Sequence, residues 1–302
     1  MTQTAAFPRF KTDEGRARYM AAYDAALGEW PVPCEALDIP TRLGSTHVLA
    51  SGPADAPALV LLPSFAGSAV IWRLNVAGLS QHFRTYAVDV IGQPGKSLAT
   101  RRIRNRRQFA GWFVDLLDGL GVQRAAIVGS SFGGFLALNQ ALETPDRVER
   151  VVLISPAGTF ASQYWRLTYL MRVRAPFLKL LRRLTGAKPG PSLADLGAAR
   201  PVPKDERWSA LMAVTMAEAP KVSVISPTVF SLAQLKSIRT PALLLIGDQE
   251  RLYAPSENLA VAQARMPGLE GALIPDADHI AAMAQPAEVN ARIREFLQRR
   301  MP

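Results

Sequence analysis

The chain has 302 residues, 49% of them hydrophobic and 20% charged, with a formal net charge of +10. Its length suits one large α/β domain or two modest ones, and its balance of charged and hydrophobic residues excludes extensive disorder. Its single cysteine, Cys34, excludes an internal disulfide, and three histidines cannot form a zinc cluster with it. The N-terminus has no signal-peptide core, and no apolar run reaches the ~20 residues that span a membrane, so we expect a cytoplasmic protein without a metal site.

The N-terminal segment predicts a helix followed by a hairpin. Residues Asp13–Trp30 mix Ala, Arg, Met and Leu and meet Gly28 near their end, which is typical of a helix with a C-terminal stop. Two strand-like runs, Glu35–Thr41 and Thr46–Ser51, flank Leu43-Gly44-Ser45 and predict a hairpin.

After the hairpin, short apolar runs alternate with longer helical patterns. The predicted strands are Ala58–Leu62, Thr85–Val90, Ala125–Val128, Val151–Ile154, Ala242–Ile246 and Gly271–Ile274. The predicted helices cover 69–81, 105–120, 133–144, 256–266 and 287–300. Such an alternation predicts an α/β fold with a mostly parallel central sheet and helices on both faces, and it places a ligand beyond the carboxyl ends of the strands.

One interval of about 80 residues, 159–239, interrupts this alternation. It has helix-like, Pro-punctuated stretches but no βα unit, so we predict a helical cap inserted over the active edge of a core formed by 1–158 and 240–302. Tyr164, Trp165 and Tyr169 are candidates for an apolar substrate pocket under this cap. The alternative interpretation is that these aromatic residues pack the cap onto the core.

A candidate nucleophile follows the strand Ala125–Val128. The sequence Gly129-Ser130-Ser131-Phe132-Gly133 is a G-x-S-x-G pattern between a strand and a helix. Glycines at 129 and 133 permit a turn so tight that Ser131 stands exposed in a strained conformation at a helix N-terminus. The alternative is a glycine-rich βα turn that only packs closely or holds a phosphate.

A serine needs a base, and His279 is the candidate because it follows the last predicted strand at the expected edge. His47 and His82 lie elsewhere in the predicted elements and are interpreted as surface or core histidines. The preceding strand ends in Gly247-Asp248-Gln249-Glu250, which offers two acids that could orient His279. The chain order of serine, acid and histidine is the order found in hydrolases with this strand–turn–helix nucleophile.

An oxyanion hole requires two backbone N–H donors. Phe132 supplies one, because it directly follows the candidate nucleophile. The second is expected after the strand Ala58–Leu62, where Pro63 has no N–H but Phe65 has one.

These segments resemble α/β-hydrolase-fold proteins of the capped esterase, lactonase and C–C hydrolase type. Leu61-Leu62-Pro63-Ser64-Phe65 resembles the family's Leu-His-Gly-Phe segment, and residues 89–97, DVIGQPGKS, resemble its Asp-x-x-Gly-x-Gly-x-Ser turn. Ser131 matches the nucleophile, and His279 matches the histidine of the closing Gly-x-Gly-His segment. Residues 247–250 resemble the Gly-x-x-Asp segment.

The resemblance implies a serine hydrolase that cleaves a carboxylic ester or related acyl bond of a small, apolar substrate without a cofactor. It places the acid at Glu250, with Asp248 as the alternative, and it assigns the oxyanion hole to Phe65 and Phe132. The chain departs from the family where Pro63-Ser64 replaces His-Gly and where a glutamate replaces the aspartate. The same residues also suit a lactonase, a C–C hydrolase or an acyltransferase, and the fold also serves as a small-molecule receptor.

Two segments concentrate the positive charge. Residues 101–107 read RRIRNRR, and 160–190 hold seven Arg or Lys and no acid. Without any nucleic-acid-binding motif, we interpret them as solvated and expect no nucleic-acid partner. Phe177, Leu180, Leu181 and Leu184 share one helical face opposite basic residues, which leaves open weak contact of the cap with an anionic membrane surface.

Overall fold

The structure is a computed structural model that describes residues 7–8, 10–160, 206–218 and 220–299. The described strands form one nine-stranded sheet with the order β1-β2-β4-β3-β6-β7-β8-β9, and β5 pairs with β2. Strand β2 runs antiparallel to its neighbours β1, β4 and β5, and the other pairs are parallel. The strands are β1 (Glu35–Thr41), β2 (Gly44–Ser51), β3 (Ala58–Leu62), β4 (Arg84–Val88), β5 (Leu98–Ala99), β6 (Ala125–Ser130), β7 (Val148–Ile154), β8 (Ala242–Gly247) and β9 (Glu270–Ile274).

The α-helices of the described residues are α1 (Asp13–Leu27), α2 (Arg73–Leu79), α3 (Arg106–Gly119), α4 (Phe132–Glu143), α5 (Glu206–Glu218), α6 (Leu232–Ser237), α7 (Pro255–Arg265), α8 (Ala281–Ala284) and α9 (Pro286–Gln298). Two 3₁₀ helices cover Ala69–Trp72 and Pro145–Arg147. Within the described part of the chain, every helix is too short or too polar to cross a membrane.

The central strands of the sheet are buried on both faces, as their near-continuous apolar sequences predict. Side chains of β6 alternate, so that Ile127 joins a core cluster with α3, α4 and α7. The next residue, Val128, joins a second cluster on the other face with α1, α2 and α9. The predicted α/β fold with a mostly parallel sheet and helices on both faces is therefore confirmed.

The largest departure from the predicted elements lies at 69–81. The predicted single helix is a 3₁₀ turn over Ala69–Trp72 followed by α2, which ends at Leu79. All four residues of the 3₁₀ turn are buried, whereas a regular α-helix at a surface buries only one stripe. The other predicted strands and helices differ from the structure by a few residues at their ends, for example β4, which covers Arg84–Val88 instead of Thr85–Val90. The short elements β5 and α8 were not predicted.

The described part of the predicted cap contacts the core at several places. Helix α5 packs against α1, where Leu211 shares a buried cluster with Tyr19 and Arg18 pairs with Glu218 at 2.6 Å. Further along, the Ser223 amide donates to the Gly92 carbonyl at 2.9 Å. The candidate pocket residues Tyr164, Trp165 and Tyr169 and the basic amphipathic stretch lie outside the described residues, so these interpretations stay predictions.

A buried carboxylate joins the two loops that follow β3 and β4. Asp89 is inaccessible to solvent, and its Oδ1 accepts from the Ala69 amide at 2.6 Å while Oδ2 accepts from the Lys96 amide at 2.7 Å. Burial raises the pKa of Asp89, and the nearby His47 and the two amides act in the opposite direction. The hydrogen bonds thus hold both loops at the carboxyl edge of the sheet.

The turn from β6 to α4 brings backbone atoms so close that only glycine fits. A Cβ added at Gly133 would collide with the carbonyl oxygens of Leu62 and Pro63, and one at Gly129 would collide with the carbonyl of Gly133. Between these glycines, Ser131 adopts φ +50° and ψ −109°, so the predicted strained conformation is confirmed.

Replacing Asp89 with asparagine tests the link between the loops. Asp89→Asn leaves one backbone N–H facing an amide NH₂, so we expect the free energy of unfolding to fall by about 2 kcal/mol in urea titrations. The exposed Asp55→Asn is the control and should change it by less than ~0.5 kcal/mol. An equal effect of the two variants would contradict a role for Asp89 in holding the loops.

A methyl group at Gly133 tests the turn. Because the colliding atoms are backbone carbonyls, Gly133→Ala should lower the free energy of unfolding by about 3 kcal/mol, measured by thermal and urea unfolding. Gly28→Ala is the matched control, since Gly28 has φ −58° and its nearest neighbour would lie 3.4 Å from an added Cβ. This control should leave stability unchanged or raise it by less than about 1 kcal/mol.

Candidate active site

Three side chains from three loops form a hydrogen-bonded chain at the carboxyl edge of the sheet. The His279 Nε2 lies 2.9 Å from the Ser131 Oγ, and its Nδ1 lies 2.7 Å from the Glu250 Oε2. The serine stands between β6 and α4, and the other two side chains follow β8 and β9. The structure therefore brings together the candidate nucleophile, base and acid at hydrogen-bond distances.

The Glu250 side chain is fully buried, and both of its oxygens have partners. Besides Oε2 facing His279, Oε1 accepts from the amides of Arg251 and Leu252, each at 2.9 Å. Burial acts to raise the pKa of Glu250, but the facing His279 and these two amides outweigh it, and the pKa is lowered. The carboxylate is thus ionised at neutral pH and able to stabilise a positive charge on His279.

The loops after β8 and β9 are bonded to each other. The Asp248 amide donates to the Ile274 carbonyl at 3.0 Å, and the Gln249 amide donates to the Ala277 carbonyl at 2.8 Å. A Cβ at Gly247 would collide with the Ala277 carbonyl, so the approach of the two loops requires a glycine there. These contacts fix the distance between Glu250 and the loop that carries the histidine.

The side chain of Asp248, the alternative acid, contacts a different group. Its side chain is on an exposed residue, and its Oδ1 accepts from the Ala277 amide at 3.4 Å. The carboxylate that contacts the His279 ring is that of Glu250.

The two backbone amides expected to form an oxyanion hole have no hydrogen-bond acceptor among the described residues. They belong to Phe65, in the loop after β3, and to Phe132, the first residue of α4. Their rings pack edge to face with centroids 6.1 Å apart, and Phe65 is 54% exposed while Phe132 is buried. Two unused N–H donors near an exposed aromatic ring are suitable for binding an oxygen anion and an apolar group.

The other histidines have different surroundings. His47 is buried in β2, and its Nδ1 lies 2.9 Å from the Asp38 Oδ1. His82 follows α2, and its Nε2 lies 3.4 Å from the Arg294 Nη1. These positions agree with the interpretation of both as core or surface histidines.

Sequence reasoning assigned no role to Gln93, although the structure places it against the loop of Phe65. Its Oε1 accepts from the Ala66 amide at 2.8 Å, and the side chain is fully buried. In the sequence, Gln93 is a polar residue of the 89–97 segment, in a loop expected at the carboxyl edge of the sheet. The sequence of that segment does not identify which residue the glutamine contacts. Such a contact appears only when two loops are brought together.

The comparisons with known proteins extend over nearly the whole chain. A sequence profile of the α/β hydrolase family matches residues 59–292. The chain is 34% identical to carboxylesterase YbfK of Bacillus subtilis over 295 residues, which is 96% of each protein, and 34% identical to the uncharacterized carboxylesterase nap of that organism over 285 residues, 92% of each. The crystal structure of naproxen esterase from Bacillus subtilis superposes with a TM-score of 0.81 at 33% identity, covering 95% of this chain and 100% of the esterase.

The fold, the hydrogen bond of Ser131 and the similarity to known proteins all indicate the same family. A family profile that covers most of the chain, with relatives above 30% identity over more than nine-tenths of it, establishes the family. The chain belongs to the α/β hydrolase family and is a carboxylesterase-like enzyme of that family.

Proposed function

We propose that the enzyme is a serine carboxylesterase in which Ser131 is the nucleophile, His279 the general base and Glu250 the orienting acid. The observation that carries this proposal is the continuous hydrogen-bonded chain from the serine hydroxyl through both imidazole nitrogens to a buried carboxylate. A serine hydroxyl is a weak nucleophile unless such a base removes its proton.

In the first half-reaction, the Ser131 Oγ attacks the ester carbonyl carbon while His279 Nε2 takes the hydroxyl proton. The carbonyl π electrons move to the oxygen, and the amides of Phe65 and Phe132 donate to the resulting oxyanion. When the oxyanion collapses, the alkoxy group leaves with the proton from His279, and an acyl ester on Ser131 remains.

In the second half-reaction, His279 removes a proton from water, and the resulting hydroxide attacks the acyl carbon. The oxyanion that forms accepts hydrogen bonds from the same two amides, those of Phe65 and Phe132. Collapse returns the electron pair and the proton to the Ser131 Oγ and releases a carboxylic acid. The ionised Glu250 stabilises the imidazolium in both halves, because its lowered pKa keeps the negative charge beside Nδ1.

For the substrate, we infer an ester with an apolar acyl part. The Phe65 ring supports this inference, because it is more than half exposed beside the candidate oxyanion donor and offers an apolar contact. The similarity to proteins named carboxylesterase and naproxen esterase supports the ester bond.

We also propose that residues 159–239 form the cap of this enzyme. Support comes from Ser223, which bonds to Gly92 in the loop after β4, and from the Phe230 amide, which donates to the Thr159 carbonyl at 3.1 Å. These contacts place the end of the segment next to its beginning, at the carboxyl edge of the sheet, before β8 begins.

Removing the serine hydroxyl tests the nucleophile. Ser131→Ala should lower the kcat for p-nitrophenyl esters by about 10⁴-fold or more and abolish labelling by a fluorophosphonate, because the attacking oxygen is gone. The neighbouring Ser130→Ala is the matched control and should keep both turnover and labelling. Labelling that survives in Ser131→Ala and disappears in Ser130→Ala would contradict the assignment.

The same assay separates the related reactions. Wild-type labelling without ester turnover would favour a lactone or diketone substrate, and turnover that rises with an added alcohol acceptor would favour acyl transfer.

Neutralising Glu250 tests the acid. Glu250→Gln should lower kcat by about 10³- to 10⁴-fold, because a neutral amide does not stabilise the imidazolium, whereas Asp248→Asn should change kcat less than about threefold.

The same variant tests the pH dependence of stability. Because the pKa of Glu250 is below its ordinary value of 4.5, the stability from its charge is present above pH 4.5 and is lost as the pH falls through the lowered pKa. The difference in unfolding free energy between wild type and Glu250→Gln should therefore decrease as the pH falls below 4.5. A difference that grows on acidification would contradict the prediction.

A further inference from the structure

The arginine-rich loop of the sequence lines a cleft together with the end of the predicted cap. Arg102, Ile103 and Arg104 form one part of the lining, residues 220–224 form another, and Phe7 completes it. The cleft has a volume of about 730 Å³, which is in the range of small-molecule sites. None of its lining residues belongs to the candidate triad or supplies a candidate oxyanion amide.

Hydrogen bonds connect the segments that form this cleft. The Ile103 amide donates to the Ser223 Oγ at 3.0 Å, and the Ser223 amide donates to the Gly92 carbonyl at 2.9 Å. Near the N-terminus, Phe7 exchanges two backbone hydrogen bonds of 2.7 Å with Ala99 of β5. The cleft is therefore built from backbone segments that are bonded to the rest of the molecule.

The charged groups of the cleft are all positive. Arg102, Arg104 and Lys221 line it, and none of the three forms an ion pair with another described residue. The stretches of sequence that supply them, 90–114 and 219–247, contain no Asp or Glu. Three like charges in one cleft attract an anion more strongly than any one of them does by itself.

The neighbouring contacts leave these charged groups available to a ligand. Glu218 precedes Lys221 in the chain, but its Oε1 accepts from the Arg18 Nη2 at 2.6 Å and from the Arg18 Nε at 3.1 Å. The Arg102 guanidinium carbon lies 5.8 Å from the centroid of the Phe7 ring, and such a contact does not require the N–H donors of the guanidinium. The N–H groups of the cleft are therefore suitable for binding an anionic oxygen.

Most of the remaining lining is apolar. Phe7 and Ile103 are buried, and Val222 and Val224 are half-buried. Covering such a surface with a hydrocarbon group is favourable, and an inorganic anion has no hydrocarbon group to cover it. The combination of basic and apolar lining fits an anion that carries an apolar chain.

We propose that this cleft is a second ligand site of the enzyme, which binds an amphiphilic anion, meaning an apolar chain with a carboxylate or phosphate head group. Arg102, Arg104 and Lys221 bind the head group, and the phenylalanine and valines of the lining contact the chain. Arginine suits such a head group because its planar N–H groups donate to two oxygens at once. Binding there requires no chemical step at Ser131, so the site goes beyond the proposed function.

Calorimetric titration of the full chain tests the proposal. Octanoate and octyl phosphate are the probes, and 1-octanol and inorganic phosphate are the controls that keep only the chain or only the charge. Ser131 is first labelled with a fluorophosphonate, which blocks the candidate active site. Arg104→Gln and Lys221→Gln each remove one charge from the cleft, and Arg101→Gln removes one from the same loop at an exposed position outside the lining.

We expect octanoate and octyl phosphate to bind the labelled enzyme at least about tenfold more tightly than 1-octanol or inorganic phosphate, because only the amphiphiles use both kinds of lining. Arg104→Gln and Lys221→Gln should each weaken octanoate binding by about three- to tenfold, since each removes one attraction to the head group. Arg101→Gln should change octanoate binding by less than about twofold.

Three results would overturn the proposal. The first is no binding of either amphiphile at concentrations up to about 5 mM. The second is an equal loss in Arg101→Gln and Arg104→Gln, because the attraction would then come from the charge of the whole loop. The third is pelleting of the wild type, but not of Arg104→Gln, with phosphatidylglycerol vesicles while free octanoate does not bind, because these residues would then serve a membrane surface.

Binding in this cleft is decided separately from the proposed function. If Ser131 is not labelled by the fluorophosphonate, the unlabelled chain is titrated, and the difference between Arg104→Gln and Arg101→Gln still locates octanoate in the cleft. If Arg104→Gln fails to fold, Lys221→Gln carries the same comparison. Equal affinities of Lys221→Gln and wild type would in that case overturn the proposal.

Discussion

The position of Ser131 depends on a backbone approach that leaves no room for a Cβ atom. The start of α4 lies directly against the end of β3, with Gly133 facing the Leu62 and Pro63 carbonyls, and the strand end lies against the same helix at Gly129. This approach forces the serine into its strained conformation and points its hydroxyl out of the sheet. It also brings the Phe132 amide close to the loop of Phe65, so the candidate nucleophile and both candidate oxyanion donors depend on the same backbone approach.

Around that turn, the site is held mainly by hydrogen bonds between loops. The loops after β8 and β9 bond to each other through backbone atoms, and those after β3 and β4 are joined by the side chains of Asp89 and Gln93. Burying a carboxylate or an amide has a desolvation cost, which hydrogen bonds from backbone N–H groups reduce. Glu250, His279 and Ser131 stand at hydrogen-bond distances from one another, which is the preorganised geometry that the proposed mechanism requires.

Two segments depart from the family pattern, the loop at 63–67 and the acid at 250, and the structure shows their contacts. At 63–67 the loop lacks His-Gly and carries Ala66 with positive φ, and the Ala66 amide donates to the buried Oε1 of Gln93. The glutamate at 250 reaches His279 while its other oxygen is occupied by two backbone amides, so the extra methylene is accommodated with both oxygens bonded.

The amino-acid sequence by itself determined the class of fold, the strand–turn–helix around Ser131, the order of serine, acid and histidine, and the edge at which they meet. These features follow from local patterns, namely apolar periodicity, glycines in a tight turn and the shared direction of parallel strands. The hydrogen bond between Glu250 and His279, the 3₁₀ start before α2 and the contact of Gln93 with Ala66 are visible only in the tertiary structure. They depend on which loop atoms come within about 3 Å of each other, and spacing along the chain carries no information about such distances between loops.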